Sequence, residues 1–465
     1  MKKTFRFLSM AALLVVGAIM TGCSSDDNID NPQQPANKDN VVTLTATVSF
    51  DGAAGTRAID GTTGTKTFES GKQIAVFYED ASGNLQKAES TDFTPTGNNT
   101  KATFTVTLST PKSGGQIRYI YPASMAKALP SSPTAYTADD AVTIDYSGIF
   151  GSQDGTLTTL ANYDLAVKDA TLSGTDQPVS VTLANPLAIC KFTFKDVGSN
   201  DITGVTRLTV SDGTNAYKVT PSALSTIYVA MKPATGKIAF TAATGSKTYF
   251  KTATGTTLAA STLYTNITVS MVELARGSVI CSDGSVYPSK STAEGASKTP
   301  VAMIAYLGSD NGEAAPCNHG LALAMSDANG GNYCEWKTSR TDAGHTKQSY
   351  TFTEESGLQY NAKHNSEIDN YPAFKAAIAN NSTAAPTGCS AWFLASGYQW
   401  TKMFAGNAGG LQTLAGLESS TYWSSSESGY ENAWTFLILY GDGGWVPQYK
   451  YGNYGGYLVR SCLAF

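Results

Sequence analysis

The chain has 465 residues, more than one hydrophobic core can organise, so its length predicts several domains. Its 32 basic and 37 acidic residues give a formal net charge of −5, and loss of the three basic residues of an N-terminal export signal would make this about −8. Such an acidic chain argues against nucleic acid and against an anionic membrane surface as partners.

Residues 1–22 have the pattern of an export signal. Basic residues near the start, Lys2, Lys3 and Arg6, precede an apolar run that is too short for a membrane-spanning helix. The run ends in Met20-Thr21-Gly22-Cys23, and small residues before a cysteine resemble a bacterial lipobox. Cleavage before Cys23 and acylation of that residue would anchor the chain in the cell outer membrane. The alternative is an ordinary signal peptide with an incidental cysteine.

Residues 23–40 are predicted to be a flexible tether. They begin with the acidic stretch Ser24-Ser25-Asp26-Asp27, which resembles the tag behind the lipid cysteine in surface-exposed lipoproteins of Bacteroidetes. The rest is polar and contains Pro32 and Pro35, a composition typical of linkers.

From residue 41 the apolar residues alternate with threonine and serine, which predicts a half-buried strand over residues 42–50. Further strands are predicted over 73–78, 102–108 and 117–121. No segment before about residue 370 shows a long apolar period of 3.6 residues, so this part is predicted to be all-β. We predict one β-sandwich domain over residues 41–175.

A second set of strands predicts another β-sandwich over residues 176–274. The strand candidates are residues 179–183, 188–194, 206–210, 225–231 and 263–271. The two predicted sandwiches precede a C-terminal region, residues 275–465, of different composition.

Several stretches resemble the fimbrillin family of Bacteroidales, which are pilin-like lipoproteins. They are the lipobox with its tether, Gly55-Thr56-Arg57-Ala58, Phe68-Glu69-Ser70-Gly71-Lys72-Gln73-Ile74-Ala75-Val76 and Leu183-Ala184-Asn185-Pro186-Leu187-Ala188. The resemblance covers roughly residues 20–272. It implies two transthyretin-like β-sandwich domains, a surface location in a fimbrium, and other pilin subunits as partners.

The same resemblance implies proteolytic processing between Arg57 and Ala58. In that family a trypsin-like protease cuts after an arginine behind the first strand, and a neighbouring subunit then fills the opened sheet edge with its own strand. Arg57 lies in a Gly-rich segment, and exposed segments of this kind are preferred sites of proteolysis. The alternative is a solvated surface arginine.

The C-terminal region is richer in Gly, Asn, Cys and Trp, and it contains all three histidines of the chain. Short strands are predicted over residues 301–307, 319–325, 434–440 and 456–465. Helices are predicted over residues 368–379 and 396–404.

This order of elements resembles a C-type lectin-like domain of the Fibrobacter paralogous type. The motifs that carry the resemblance are residues 319–322 (HGLA), 391–400 (AWFLASGYQW), 422–427 (YWSSSE), 433–434 (AW) and 457–460 (YLVR). The second motif departs from the usual Trp-x-Leu-Pro-Ser-x-x-Glu, because Ala395 replaces the proline and Gln399 the glutamate. The resemblance implies an α+β scaffold. The calcium-sugar triplets of true C-type lectins are absent, so no metal and no cofactor is expected.

Six cysteines follow Cys23. Cys190 lies in an apolar strand pattern and is predicted to be a buried free thiol. The other five are Cys281, Cys317, Cys334, Cys389 and Cys462. Cysteines of an extracytoplasmic protein can be oxidised, so one or two disulfides are possible among these five. The sequence does not determine which cysteines would pair.

Residues 422–465 are rich in Trp and Tyr. Core positions are predicted for Trp392, Trp400, Trp423, Trp434, Phe436 and Ile438. Residues 441–454 are predicted to form a loop, because their glycines and Pro447 disfavour a strand. Ligand-binding residues are predicted on this loop at Asp442, Trp445, Tyr449, Tyr451, Asn453 and Tyr454, which can stack on sugar rings or hold a protein ligand. The alternative is an aromatic loop folded over its own core.

An enzyme is not expected. Formylglycine-generating enzymes share the lectin-like fold, but Cys389 and Cys462 do not match their cysteine motif. The three histidines, His319, His345 and His364, are scattered and lack a nucleophile pattern. Glu427 and Glu431 could form a carboxylate pair, but spacing alone is weak support.

The sequence therefore predicts a surface adhesin, a lipoprotein that forms the tip subunit of a strand-exchange fimbria and binds a glycan or protein ligand through its C-terminal region. The tip assignment follows from residues 457–465, which look committed to closing a compact domain, so the subunit could accept a strand but not donate one. The alternative is a stand-alone surface glycan-binding lipoprotein that never polymerises.

Overall fold

The structure is a computed structural model that describes residues 41–50, 68–96, 99, 101–131, 140–160, 165–172, 180–222, 225–405, 408–439, 442–452 and 456–465. The predictions for the export signal, the tether, Cys23, Arg57, Ala58, Asn453 and Tyr454 lie outside these residues. Within them, no helix is both long enough and apolar enough to cross a membrane.

The first eight strands form two four-stranded sheets. They are β1 (Val41–Phe50), β2 (Ala75–Glu79), β3 (Leu85–Glu89), β4 (Thr94–Thr96), β5 (Lys101–Ser109), β6 (Gln116–Tyr121), β7 (Ala166–Thr171) and β8 (Ser180–Leu183). The strand orders are β4-β5-β1-β8 and β3-β2-β6-β7. Apolar residues of both sheets meet in one buried cluster, so the two sheets form a sandwich.

Strand β1 lies in the interior of its sheet. It pairs antiparallel with β5 from Val41 to Ser49 and parallel with β8 from Thr47 to Phe50. Leu44, Ala46 and Val48 are at most 3% exposed, while the alternating residues Thr43 and Thr45 are exposed. The alternation in the sequence is thus the alternation between core and solvent, which confirms the predicted first strand.

Three short helices lie between β6 and β7 of the first sandwich, and a second set of seven strands follows β8. The helices are α1 (Asp140–Thr143), α2 (Ser147–Gly151) and α3 (Leu157–Leu160). The strands are β9 (Ala188–Asp196), β10 (Arg207–Ser211), β11 (Ala216–Val219), β12 (Thr226–Met231), β13 (Ala234–Ala243), β14 (Thr248–Leu258) and β15 (Thr262–Glu273), in the order β11-β10-β13-β14-β15-β9-β12. The strand predicted over residues 179–183 pairs with β1 instead of with this set. The domain boundaries near residues 175 and 275 stay predictions.

The C-terminal region is a mixture of strands and helices. Its strands are β16 (Val279–Cys281), β17 (Val286–Tyr287), β18 (Pro300–Leu307), β19 (Gly320–Ala324), β20 (Phe393–Leu394), β21 (Thr421–Glu427), β22 (Asn432–Leu439), β23 (Asp442–Tyr449) and β24 (Ser461–Ala464). Its helices are α4 (Lys290–Gly295), α5 (Gly357–Lys363), α6 (Pro372–Ala379), α7 (Gly397–Phe404) and α8 (Ala408–Ala415), with 3-10 turns at Asn329–Gly331, Asn365–Asn370 and Asn380–Ser382. The chain as described is mainly β, as predicted.

Two sheets organise this region, with orders β17-β16-β18-β19-β24-β20 and β21-β22-β23. The predicted helix over residues 396–404 is confirmed as α7. Ser396 caps it and forms a capping box with Gln399, so the glutamine that replaces the usual glutamate still serves the helix start. The helix predicted over residues 368–379 begins later, at Pro372, because a 3-10 turn occupies Asn365–Asn370.

The C-terminal region packs directly against the second set of strands. Ala239 and Phe250 share one buried cluster with Trp392 and Phe465. The imidazole Nε2 of His319 lies 3.1 Å from the hydroxyl of Thr209. An isolated fragment of residues 275–465 would expose this apolar contact to water, so binding experiments need the whole chain.

The prediction of a loop over residues 441–454 is wrong for most of its length, because Asp442–Tyr449 forms strand β23. Two features explain how a segment with two glycines and a proline becomes a strand. β23 is the edge strand of its sheet, where proline is tolerated. Gly443 leaves room for the ring of Phe436, which a side chain at that position would overlap.

Gly443 and Gly444 offer a matched test of this strand. A Cβ at Gly443 would overlap Phe436, whereas no atom lies within 4 Å of a Cβ at Gly444. We expect Gly443→Ala to lower the unfolding free energy by about 1–3 kcal/mol, and Gly444→Ala to leave it unchanged or raise it slightly. Denaturant unfolding followed by Trp fluorescence measures this, because all six tryptophans lie in the C-terminal region. Equal effects of the two substitutions would contradict this packing.

Candidate functional site

An aromatic ladder runs along one face of the sheet formed by β22 and β23. The antiparallel register places Trp434 opposite Pro447 and Phe436 opposite Trp445. Since side chains two residues apart share a face, Tyr449 continues the same row at the end of β23. The inner end of this row is buried, with Phe436 only 4% exposed, and its outer end reaches solvent at Tyr449, which is 43% exposed.

A neighbouring segment adds two more rings to the ladder. The ring of Phe352 lies 4.4 Å from that of Trp445, and the ring of Tyr350 lies 4.7 Å from that of Trp434, measured between centroids. Tyr350 is 65% exposed, and its ring contacts that of the buried Trp434 at an interplanar angle of 59°.

Arg340 joins the two tyrosines at the end of β23. Its guanidinium lies 4.2 Å from the ring centroid of Tyr449, and its Nε donates a hydrogen bond of 2.9 Å to the carbonyl oxygen of Tyr451. Tyr451 is 46% exposed. Arg340 thus packs against the ring of Tyr449 and fixes the backbone at Tyr451, which keeps both tyrosines beside a cation at the surface. We call Arg340, Tyr350, Trp445, Tyr449 and Tyr451 the aromatic surface.

The predicted ligand residues are thus only partly where the sequence suggested. Tyr449 and Tyr451 are exposed, as a binding role requires. Trp445 is half-buried against Phe352 and Phe436, so most of its ring packs against these residues and only part of it is accessible to a ligand. Asp442 begins β23 at the opposite end of the strand from Tyr449.

Arg340 and Tyr350 are not among the ligand residues predicted from the sequence, and they lie about 100 residues before β23 in the chain. A signal for the second existed in the alternation of Tyr350 and Phe352 around a threonine, which is typical of a segment with one packed face. Nothing in the sequence singled out Arg340, because its partners are distant in the chain.

A cluster of charged side chains around the buried Glu427 holds the segments that carry the aromatic surface. Glu427 and Lys450 form an ion pair, and neither side chain is exposed at all. Lys347 is a second ion-pair partner of Glu427. The backbone N–H groups of Ala343 and His345 donate to the Glu427 carboxylate at 2.8 and 3.0 Å, which anchors the segment between Arg340 and Tyr350.

Lys450 also ties together the chain segments that carry the exposed tyrosines. Its ammonium donates hydrogen bonds of 3.0 Å to the carbonyl oxygen of Thr341 and 2.8 Å to that of Tyr430. Burial lowers the pKa of Lys450, and its hydrogen bond and ion pair with Glu427 oppose that shift. The suggestion of a Glu427–Glu431 carboxylate pair is wrong, because the buried Glu427 carboxylate binds two lysines and two backbone N–H groups, whereas Glu431 is exposed.

Two of the three histidines lie together, contrary to the sequence-based prediction that all three are scattered. His345 and His364 lie side by side, with 2.6 Å between their Nε2 atoms. The carbonyl oxygen of Ser425 accepts from Nδ1 of His345 at 2.9 Å, so Nδ1 carries the hydrogen and Nε2 accepts from His364. Burial lowers the pKa of His345 to about 2 and also lowers the pKa of His364. Both rings are therefore neutral, and they are stacked between Tyr360 and Tyr371 at centroid distances of 3.8 Å.

Two further carboxylates accept hydrogen bonds inside the fold. Glu355 accepts from Gln348, Tyr360 and Ser426, and burial raises its pKa. Glu313 accepts from Ser356 and Gln399, and burial raises its pKa too. Each carboxylate cross-links loops of the C-terminal region, so neither is presented to a solvent-filled cleft.

All six described cysteines are free thiols. Cys190 is buried, as predicted, and burial raises its pKa to about 12. No disulfide therefore joins any of the five cysteines of the C-terminal region. Across the described ranges, no three His, Cys, Asp or Glu side chains are grouped so that they could hold a metal ion.

The chain matches no known family model, and no curated protein matches it. Among solved structures, it is similar to a fimbrial protein from Bacteroides ovatus at 15% identity and a TM-score of 0.36, over 92% of this chain and 100% of that chain. It is also similar to a fimbrial assembly protein from Parabacteroides distasonis, at 10% identity and a TM-score of 0.27, over 49% of this chain and 91% of that chain. A third is the tip fimbrial protein Mfa3 from Porphyromonas gingivalis with C-terminal truncation, at 10% identity and a TM-score of 0.22, over 46% of this chain and 81% of that chain. Similarity at this level leaves the function to be argued from this chain's own geometry.

Proposed function

We propose that the protein is a surface adhesin that binds a glycan or protein ligand through the aromatic surface and ends a strand-exchange filament. The observation that carries the adhesive role is the distribution of exposed rings. Among the side chains that the structure describes, the exposed aromatic ones are Tyr333, Tyr350, Tyr430, Tyr449 and Tyr451, and all belong to the C-terminal region. Rigid tyrosines contribute large contact areas at low entropic cost, so such a concentration favours a recognition surface.

The first sandwich supports the role of strand acceptor. β1 is an interior strand whose apolar residues face the core, so its removal would leave a groove between β5 and β8. A neighbouring subunit could fill that groove with a strand of the same alternation. Cleavage after Arg57 would release β1, and acylated Cys23 would hold the unprocessed chain at the outer membrane. Both residues lie outside the described ranges, so these steps rest on the sequence motifs.

The C-terminal strand supports a terminal position in such a filament. β24 lies between β19 and β20, and all four of its residues are buried. The backbone N–H groups of His319 and Gly320 donate to the carbonyl oxygen of Phe465. Donating β24 to a neighbour would open the central sheet of the region, so this strand serves its own fold and not the next subunit.

Binding rather than catalysis also fits the titratable groups. Glu313, Glu355 and Glu427 accept several internal hydrogen bonds each, and His345 and His364 are neutral and enclosed by aromatic rings. A general acid or base must reach its substrate, and these buried side chains do not.

The adhesive role predicts a specific loss of binding. We expect a Tyr449→Ala, Tyr451→Ala double variant to bind host epithelial cells or partner bacteria about tenfold or more weakly than wild type, since central aromatic residues dominate interface energies. Binding of the purified whole chain to each surface can be measured by flow cytometry. Leu414→Ala removes another exposed apolar side chain, 50% exposed, and should change nothing. Unchanged binding of a folded double variant would refute the assignment of the aromatic surface.

The filament role is tested separately. Immunogold labelling of purified filaments is expected to mark one end only, and an Arg57→Ala precursor is expected to be missing from filaments. Label along the whole shaft would contradict the terminal position. Complete absence from filaments of wild-type cells would favour the stand-alone glycan-binding lipoprotein.

A further inference from the structure

A second concave site lies in the C-terminal region and shares no residue with the aromatic surface. It is an open cavity of about 450 Å³, within the range of about 300–1,000 Å³ that is typical of small-molecule sites. Helix α6 and the two 3-10 turns at Asn329–Gly331 and Asn380–Ser382 contribute residues to it.

The floor of the cavity is the outer face of α6. Ala373, Phe374 and Ala377 point into the core, which leaves Pro372, Ala376 and Ala379 on the opposite side, where they line the cavity. A helix face exposed to solvent normally carries long polar side chains. Here Pro372, Ala376 and Ala379 supply a small apolar floor, and Lys375 is the one long polar side chain of α6 beside it.

The walls are amide and hydroxyl groups. They come from Asn329 on one turn and from Asn381 and Ser382 on the other. Within the described residues, the side-chain oxygen of Asn329 and the hydroxyl of Ser382 have no hydrogen-bond partner, although both residues are exposed at the cavity. Polar groups of this kind remain available to a ligand.

Both turns are held in an unfavourable backbone conformation. Asn380, Asn381 and Ser382 follow one another with φ values of 37°, 53° and 65°, and Asn329 has a φ of 55°. Left-handed residues other than glycine are uncommon, and runs of them are found where the surrounding structure imposes them, often at ligand sites.

Hydrogen bonds that connect the two turns to the buried Arg460 hold them in this conformation. Asn381 accepts from the N–H of Gly330 at 2.8 Å and donates to the carbonyl oxygen of Asp327 at 2.8 Å, which joins the two walls. Asp327 in turn pairs with Arg460 at 2.6 Å, and the Arg460 side chain is 2% exposed. The cavity is therefore preformed, which reduces the entropy lost on binding.

The lining selects an uncharged, hydroxyl-rich ligand. Lys375 is the single charged side chain among the cavity's described lining residues, and it forms an exposed ion pair of 2.6 Å with Asp369. The apolar floor suits the C–H face of a pyranose ring, and the amides and hydroxyl suit its hydroxyl groups.

We propose that this cavity is a binding site for a neutral saccharide. The proposal is independent of the filament role and of the aromatic surface. The test uses the whole chain, with galactose, mannose, fucose and N-acetylglucosamine as probes in saturation-transfer NMR, and sialic acid as the anionic comparison.

One variant deletes polar groups from the walls of the cavity, and a second fills its floor. Asn329→Gly with Ser382→Gly suits the left-handed conformation and deletes both free polar groups, and Ala376→Trp fills the floor. We expect at least one neutral probe to give a saturation-transfer signal with wild type, and that signal to fall to background in both variants. Asn365→Ala, which removes an exposed asparagine outside the cavity, and Tyr449→Ala should retain it.

Each other outcome overturns the proposal. These outcomes are the absence of a signal from every neutral probe, binding of sialic acid alone, and a signal that persists when the cavity is altered. A signal lost in Tyr449→Ala but kept in both cavity variants would assign the sugar to the aromatic surface instead. Unfolding curves from Trp fluorescence establish that each variant is folded, and failure of the cavity site leaves the adhesion test with Tyr449 and Tyr451 unaffected.

Discussion

Replacing Glu427 with glutamine is expected to lower the unfolding free energy of the C-terminal region by about 3–5 kcal/mol. The substitution keeps the shape of the side chain but leaves the ammonium of Lys450 buried, with no exposed surface and without its counterion. It also replaces a carboxylate oxygen with an N–H₂ group toward the backbone donors of Ala343 and His345. Denaturant unfolding followed by Trp fluorescence gives the free energy.

Two companion variants separate the ion pair from general damage. Glu431→Gln changes an exposed carboxylate on the adjacent turn and should stay within about 0.5 kcal/mol of wild type. Adding Lys450→Met to Glu427→Gln removes the uncompensated charge, so the double variant should be more stable than Glu427→Gln alone. A loss below about 1 kcal/mol in Glu427→Gln, or strictly additive effects in the double variant, would show that the pair does not hold the region together.

Lowering the pH from 7 to 5 is expected to reduce the unfolding free energy by about 2 kcal/mol for each of His319 and His345. His319, His345 and His364 are 1%, 6% and 1% exposed. Burial lowers the pKa of His319 to about 3 and that of His345 to about 2, and it also lowers the pKa of His364. In the unfolded chain a histidine titrates near 6.5. As the pH falls below that value, the histidines bind protons in the unfolded state but not in the folded state, so the free energy of unfolding decreases.

The measurement compares the pH dependence of the unfolding free energy between a histidine variant and wild type, because other groups also titrate between pH 7 and pH 5. Burial raises the pKa of Glu313 and Glu355, and these carboxyls favour the folded state as the pH falls. We therefore expect His319→Gln to flatten the change between pH 7 and pH 5 by about 2 kcal/mol relative to wild type, whatever its absolute stability. His319 lies far from the His345–His364 pair in the chain and bonds to Thr209, so it reports a separate contact. An unchanged pH dependence in this variant would contradict the neutral, buried state of His319.

Local alternation was enough to predict most strands. Residues 42–50, 102–108 and 263–271 alternate apolar and polar side chains, and β1, β5 and β15 cover those segments. The predicted core tryptophans Trp392, Trp400, Trp423 and Trp434 are at most 4% exposed. These predictions succeed because the period of a strand and the burial of large apolar rings are local consequences of composition.

The candidate site was harder to predict, because its decisive contacts join residues that are distant in the chain. Gly443 looked like a strand breaker, yet it makes room for Phe436 on the neighbouring strand. His345 and His364 looked unrelated, yet α5 brings their rings together. Arg340 acquires its role only where β23 ends, through Tyr449 and Tyr451.

The sequence alone determined the mainly β architecture and the concentration of aromatic residues near the C-terminus, because periodicity and composition are properties of neighbouring residues. Only the tertiary structure decided how those aromatic residues divide. Phe436 and Trp434 pack inward, whereas Tyr449 and Tyr451 stay at the surface, held by Arg340 above the buried pair of Glu427 and Lys450. Strand pairing and buried charge select partners across the chain, and that selection has no local signature.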